Sequence, residues 1–247
     1  MYRMIFSLLL IAIAVCCNAE IKDPYLILQK MEDITNPTIE DNNLQYKIEK
    51  AKLTSIEYQM KCDLIAWHSF PIKYRECYYF AEDTIIRGRN DSISWECSNG
   101  AIKIISDSIS AKKRLLDSLI YEREYLDKYS KYFSIIYDEL VDLKNNTCFR
   151  IIVNNSINNS ITKYYVDTLT YILVKTENET PVGNQSFYYS DYREVEGSLR
   201  IFQIEEYVSG NLSTTIKYDF IKYLDGLPDS LFDPPISVAG ESPGVGE

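Results

Sequence analysis

Histidine is nearly absent from this chain: His68 stands alone among 247 residues. A metal site or a catalytic set built on paired histidines is therefore excluded, and no serine or cysteine arrangement surrounds residue 68 to make it a general base. It reads as a surface residue in a turn. There is no HExxH run and no glycine-rich phosphate loop, with only nine glycines in the whole chain. Positive charge is short as well. The 26 Lys and Arg against 36 Asp and Glu leave a formal charge of −10, which argues against nucleic-acid phosphates and anionic lipid surfaces as partners. Adjacent acids such as Asp138-Glu139 and Glu205-Glu206 point to different sides of their elements, so they do not converge on one substrate. The expectation is a protein with no catalytic residues, no cofactor and no metal.

Long apolar runs are missing too, with one exception at the start. Arg3, the apolar stretch 5–15 and Cys16-Cys-Asn-Ala19 have the three parts of an export signal, with cleavage expected after Ala19. The run is too short for a stable membrane span. A lipoprotein signal, acylated at Cys16 or Cys17, is the alternative; Val15 and Cys16 are poor residues to precede the modified cysteine. The expected location is the periplasm, with a lipid anchor only in that alternative. Four cysteines remain in the mature chain: Cys62, Cys77, Cys97 and Cys148. Export permits disulfides. Cys62 and Cys77 lie symmetrically about the turn at 67–71, either as a bridge or as apolar strand residues.

What the chain has in excess is tyrosine, 21 in all, which suits a large sheet better than a helical bundle. From 56 to 66 the apolar residues Ile56, Tyr58, Met60, Cys62, Leu64 and Ala66 occupy every second position, the period of a half-buried strand. Strands are expected at 73–80, 84–87, 93–97 and 101–105, joined by turns short enough to require antiparallel hairpins. A helix is expected at 25–34 behind Asp23-Pro24, and residues 40–50 read as a polar loop or loose helix. Residues 110–143 contain no Gly or Pro, and Leu115, Leu116, Leu119, Ile120, Leu126, Tyr129, Phe133, Ile136, Tyr137 and Leu140 recur at helical spacing. One or two amphipathic helices are expected there, and the only large apolar surface they could cover is the sheet. Six further strands follow between 147 and 223, and Leu231 and Phe232 should pack the end of the domain. The expected organisation is a domain at 20–235 and a disordered tail at 236–247.

The order of these pieces resembles the periplasmic lipoprotein-carrier (LolA-like) superfamily, which includes outer-membrane lipoprotein-sorting proteins. Four stretches carry the resemblance: Asn90-Asp-Ser-Ile-Ser-Trp95, Cys148-Phe-Arg-Ile-Ile with Lys163-Tyr-Tyr-Val-Asp-Thr-Leu-Thr-Tyr171, Tyr189-Ser-Asp-Tyr-Arg-Glu-Val-Glu-Gly197, and the closing Asp229-Ser-Leu-Phe-Asp-Pro-Pro235. Where such proteins commonly have Asp-Gly before the Trp strand, this chain has Asn90-Asp91. The resemblance implies an α+β fold, a strongly curved antiparallel β-sheet (an incomplete or half barrel) with helices covering its concave face.

It also implies a hollow that holds the acyl chains of a lipid or lipoprotein, exchanged with inner- and outer-membrane proteins by a monomeric carrier or chaperone. On that reading the lining residues would be Tyr58, Met60, Leu64, Trp95, Tyr165 and Phe202 from strands, and Leu116, Leu119 and Ile120 from the helical lid. Arg75, if it pointed inward, could hold the lid or a ligand headgroup; otherwise it belongs to a solvated strand face. The other reading is an envelope sensor or scaffold that uses the same fold, pairing an exposed edge strand with a partner.

Overall fold

A computed structural model describes residues 22–35, 45–105, 107–143, 146–180 and 183–235. The expected export signal and C-terminal tail lie outside the described residues. Helix α1, Pro24–Thr35, starts where proline presets the first helical angle. Asp23 caps it, its Oδ1 accepting from the amides of Tyr25 at 3.0 Å and Leu26 at 3.4 Å. Ile27, Leu28 and Met31 form its buried stripe.

Two antiparallel meanders follow. The first contains β1 (Tyr46–Ser55), β2 (Met60–Ser69), β3 (Lys73–Tyr79), β4 (Thr84–Arg89), β5 (Ser94–Ser98) and β6 (Ala101–Ile105). Helix α2, Asp107–Tyr121, then leads to the second. That one contains β7 (Phe133–Leu143), β8 (Asn146–Asn155), β9 (Ser160–Asp167), β10 (Leu173–Thr180), β11 (Gly183–Val195), β12 (Ser198–Val208) and β13 (Asn211–Leu224). Pairing of β1 with β13 fuses them into one 13-stranded sheet, ordered β6-β5-β4-β3-β2-β1-β13-β12-β11-β10-β9-β8-β7.

The sheet is curled but not closed. Asp117 of α2 is bonded to Arg89 at the end of β4, while its neighbour Leu116 packs against the cluster formed by α1 and β7, β8 and β9. In a flat sheet β4 and β9 would stand eight strand spacings apart, roughly 38 Å. Adjacent residues of one helix reach both only if the sheet wraps around it. The fold is therefore α+β: a strongly curved, incomplete barrel with both helices on its concave face.

The packed core lies at one end. Ile27, Leu28 and Met31 meet Tyr125, Phe133, Ile135, Phe149, Ile151, Val153 and Val166. Tyr125 and Phe133 meet edge to face at 6.3 Å. A smaller cluster of Ala51, Leu64 and Ala66, with Tyr78, Ile216 and Tyr218 beside it, marks the middle of the same face.

Two expectations fail. Residues 56–66 are not one strand, and residues 46–50 are not a loop; 40–44 lie outside the described residues. β1 already runs through Tyr46–Ser55, and 56–59 is the hairpin turn, with Gln59 at φ 51°. Alternation of apolar residues persists across the reversal, so the pattern cannot see it. The second half of 110–143 is strand β7 rather than helix. Arg123, at φ 57°, stops the helical run without glycine or proline, and Phe133 and Ile135 then alternate inward against Asn155 and Val153 of β8. Ladder pairing with β8 outweighs a helical spacing that would have left the edge of β8 unpaired.

The opposite face carries its own fixed point. Trp95 is fully buried, and its Nε1 donates to the Phe232 carbonyl at 3.1 Å. Arg75 Nη1 donates to the adjacent Leu231 carbonyl at 3.1 Å, with its guanidinium 5.8 Å over the Trp95 ring. The expected docking of Leu231 and Phe232 is thus a backbone clasp. The four described cysteines are free and buried. Cys77 pairs with Ile65, three residues from Cys62 on β2, so the two thiols project to opposite faces and cannot meet. Burial, helped by Asp167 and Asp142, pushes the Cys148 thiol up to about 11.

Gly88 lies opposite Trp95, and a Cβ there would stand 2.3 Å from Cζ2 of the indole. Because the indole is tied to Phe232 it cannot retreat, and Gly88→Ala should lower the unfolding free energy by about 2–3 kcal/mol. Urea denaturation checks this; an unchanged midpoint would show that the indole has room to move.

Candidate functional site

One cross-strand row forms the floor of the site. Register places Tyr223 (β13) opposite Lys47 (β1), Lys47 opposite His68 (β2), His68 opposite Tyr74 (β3) and Tyr74 opposite Arg89 (β4). Cross-strand partners share a face, so these side chains all project toward α2. Above them, Lys113, Asp117, Ile120 and Tyr121 fall on one stripe of α2, at helical spacings of four, three and one. Between floor and helix lies a cavity of about 510 Å³, open to solvent, whose wall also includes Phe70, Ile72 and Glu76.

The cavity exists because α2 is held at points rather than packed along its length. Among its described side chains, 111–121, none is buried. Arg89 anchors the middle through Asp117, and Arg114 Nη1 donates to the Ser92 carbonyl at 3.2 Å. At its end Tyr121 stacks on Phe70 at 5.8 Å, which in turn stacks on His68 at 5.8 Å. Leu116 and Leu119 tilt toward the α1 cluster and are only partly buried there. A helix so attached is a cover with little apolar surface of its own committed to the core.

Charge is concentrated at this site. Arg89 is only 3% exposed; its Nε donates to the Ile72 carbonyl at 2.6 Å and its Nη2 to Asp117. Nη1 is enclosed and has no partner among the described residues. The guanidinium lies 5.0 Å from the Tyr74 ring centroid, and Lys113 Nζ lies 5.6 Å from the same ring. Burial, with Glu76 nearby, pushes the Tyr74 phenol up, so it stays protonated. Deeper in the row, Glu49 meets Lys47 at 2.7 Å and His68 at 3.2 Å. Burial alone would raise the Glu49 carboxyl; Lys47 and His68 overcome it and bring it down to about 2.

The candidate lining residues are dispersed. Ile120 faces the cavity. Leu116 and Leu119 stand beside it against the α1 cluster, and Leu64 belongs to the mid-sheet cluster. Phe202 is buried beneath the Arg193 guanidinium, 4.3 Å from its ring. Tyr58 and Met60 are 65% and 44% exposed in and beside the first hairpin turn, because that turn replaces the expected strand. Trp95 and Arg75 belong to the opposite face, under the C-terminal clasp, and Arg75 holds that segment rather than α2. Tyr165 also faces away from α1, its hydroxyl donating to Glu177 at 2.7 Å; its neighbour Tyr164 is the one that packs with α1.

His68, expected on the surface, is half-buried in the floor because Phe70 and Glu49 flank it. The alternation of Tyr74, Glu76 and Tyr78 against Arg75, Cys77 and Tyr79 is legible on β3. Which set faces inward is not, since both are aromatic and both contain a charge. Among the described residues, no group of three His, Cys, Asp or Glu could hold a metal ion, and no helix is long and apolar enough to cross a membrane.

An unclosed antiparallel sheet curled around a helix-covered hollow defines a class of half-barrel fold. Solved structures place it further: the chain has a LolA-like fold. It is similar to a LolA superfamily protein from Nitrosomonas europaea, with 11% identity over 85% of this chain and 97% of that one, TM-score 0.58. It is also similar to a DUF1329 family protein from Desulfovibrio piger, at 11% identity over 85% and 95% with TM-score 0.57. A Vibrio parahaemolyticus domain assigned to outer membrane lipoprotein sorting gives 10% identity over 85% and 96%, again with TM-score 0.57. No protein-family model matches the chain, and no curated protein matches it in sequence.

The Glu49 arrangement makes stability depend on acid. A carboxyl held near 2 in the folded chain, against an ordinary 4.5, contributes stability that is complete above about pH 4.5 and lost as pH falls toward 2. Glu49→Gln should be less stable than the parent by about 2 kcal/mol near neutral pH, and that gap should close on acidification through this window. Urea midpoints measured for both chains between about pH 6 and pH 3 check it; a gap independent of pH would remove the ion-paired carboxylate as its cause.

Proposed function

We propose that this protein is an exported carrier that takes the acyl chain of a lipid or lipoprotein into the cavity beneath α2. The observation on which this rests is the cavity of about 510 Å³ roofed by a helix with no buried side chain among residues 111–121. Its volume is within the range of small-molecule sites, roughly 300–1,000 Å³. Apolar groups suited to a methylene chain line it, including Phe70, Ile72, Ile120, Tyr121 and Tyr223. Each methylene moved from water into such surroundings gains about 0.8 kcal/mol, so a tail of eight buried methylenes contributes roughly 6 kcal/mol before the cost of ordering it. Burial alone suffices, and the reading invokes no bond-making step. The LolA-like fold, and its use in a domain assigned to lipoprotein sorting, support acyl cargo and a periplasmic setting. An export signal at 1–19 would bring the chain there. Exchange with inner- and outer-membrane proteins would follow from a cover that opens.

Mass spectrometry of organic extracts from protein purified out of a bacterial envelope should find stoichiometric acyl lipid or lipoprotein. Ile120→Asp places a charge on the cavity side of an exposed helix position, so it should weaken binding of a fluorescent acyl probe by tenfold or more. Folding stability should change by less than about 0.5 kcal/mol. An empty extract together with an unchanged probe affinity in Ile120→Asp would overturn the proposal.

A further inference from the structure

The cavity wall has a charge opposite to that of the chain. Against a total of −10, it includes Lys73, Arg87, Arg89, Lys113, Arg123 and Arg200 but only two acids, Glu76 and Asp117. Several of these charges are already matched. Lys73 meets Asp91 and Asp229, Arg87 meets Glu96, and Glu76 accepts a bond from the Tyr78 hydroxyl at 2.9 Å. Arg123 meets Asp33 at 3.9 Å and Arg200 donates to the Thr35 carbonyl; elsewhere in the wall Arg89 and Lys113 flank Tyr74 with Asp117 as the acid between them. Among the described residues Lys113 has no ion pair, and Arg89 Nη1, on a side chain only 3% exposed, has no acceptor. A buried guanidinium donor without an acceptor is costly to keep. It is kept beside a cavity that has room for one.

We infer that the cargo is an anionic amphiphile whose acidic headgroup is received by Arg89 and Lys113 while its tail occupies the cavity. This deepens the acyl-carrier reading and rests on it. A phosphate or carboxylate would satisfy Nη1, pair with Lys113 and compete with Asp117 for the rest of the guanidinium fork. Competition for Arg89 has a mechanical consequence, because Asp117 is the bond that ties the middle of α2 to the sheet. Nη1 is enclosed while that bond holds, so the headgroup reaches it as α2 lifts. The tail then occupies the space the helix has uncovered. Acidic cargo thereby loosens the cover that admits it, and neutral cargo of equal length does not. The net negative charge of the chain opposes non-specific capture of the same ligands elsewhere on its surface, which confines recognition to this spot.

Isothermal titration of the delipidated protein with three probes tests this: 1-palmitoyl lysophosphatidate, 1-monopalmitoylglycerol and inorganic phosphate. The two lipids share chain and glycerol and differ in the phosphate. Lysophosphatidate should bind about tenfold or more tightly than the neutral lipid, and phosphate alone far more weakly than either. Arg89 is buried and its replacement endangers folding, so the variants are on the exposed side. Lys113→Gln should reduce the preference several-fold, lowering affinity for lysophosphatidate more than for monopalmitoylglycerol, and Asp117→Asn should strengthen lysophosphatidate binding. Equal affinities for the two lipids, or a preference untouched by Lys113→Gln, would overturn the inference and leave the acyl carrier standing. Phosphate binding as tightly as lysophosphatidate would overturn the role of the tail. No binding of either lipid would overturn the carrier reading itself.

Discussion

An open sheet of 13 strands has more inner face than the two described helices, of 12 and 15 residues, can cover, and the rest of the structure follows from that mismatch. α1 is spent on the β7–β9 end, where Ile27, Leu28 and Met31 close a dry core against Phe149, Ile151 and Val166. Among the described residues only α2 is left for the β1–β4 end, and it is tethered by Asp117, Arg114 and Tyr121 rather than by a buried apolar stripe. Interiors that can fill do fill, because every unfilled gap forfeits contacts. The gap of about 510 Å³ beneath this loosely seated helix has a polar row, Lys47, His68, Tyr74 and Arg89, across its floor, which water can wet.

The two faces of the sheet divide the labour. On the convex side Trp95, Gly88, Arg75 and the carbonyls of Leu231 and Phe232 lock the last described residues across β3 to β5, which keeps that end of the sheet rigid. On the concave side beneath α2 the interactions are fewer, and they are ionic or aromatic stacks that exchange with solvent more readily than the packed core under α1. The result is a shell held firmly at one end with a cover held weakly at the other. The same division explains why net charge is a poor guide here. Six of the 26 Lys and Arg line one hollow, against only two of the 36 acids, so the local charge there is opposite to that of the chain.

Local residue pattern determined a good deal: helix α1 with its Asp23-Pro24 start, β3 to β6, β8, β9 and β11 to β13 as antiparallel hairpins, and the docking of Phe232. Short polar turns leave neighbouring strands no other partner, so the meanders are a local consequence. The Asn90–Trp95 and Lys163–Tyr171 stretches further pointed to the LolA-like arrangement that the structure has. The turn at 56–59 and strand β7 were hidden because the parity of apolar residues ran on through a reversal, and because Phe133, Ile136, Tyr137 and Leu140 fit a helix as well as a strand edge.

Only the tertiary structure decided which face of each strand turns inward. Tyr74 and Arg75 differ by one residue, yet one lines the hollow and the other clasps the C-terminal segment. Sequence determined the alternation, since successive side chains must point to opposite sides. Direction of curl, and with it the identity of the site, came from contacts between residues far apart in the chain: Arg89 with Asp117, Trp95 with Phe232, and β1 with β13. No local pattern encodes those, because each depends on where the sheet has already brought the other partner.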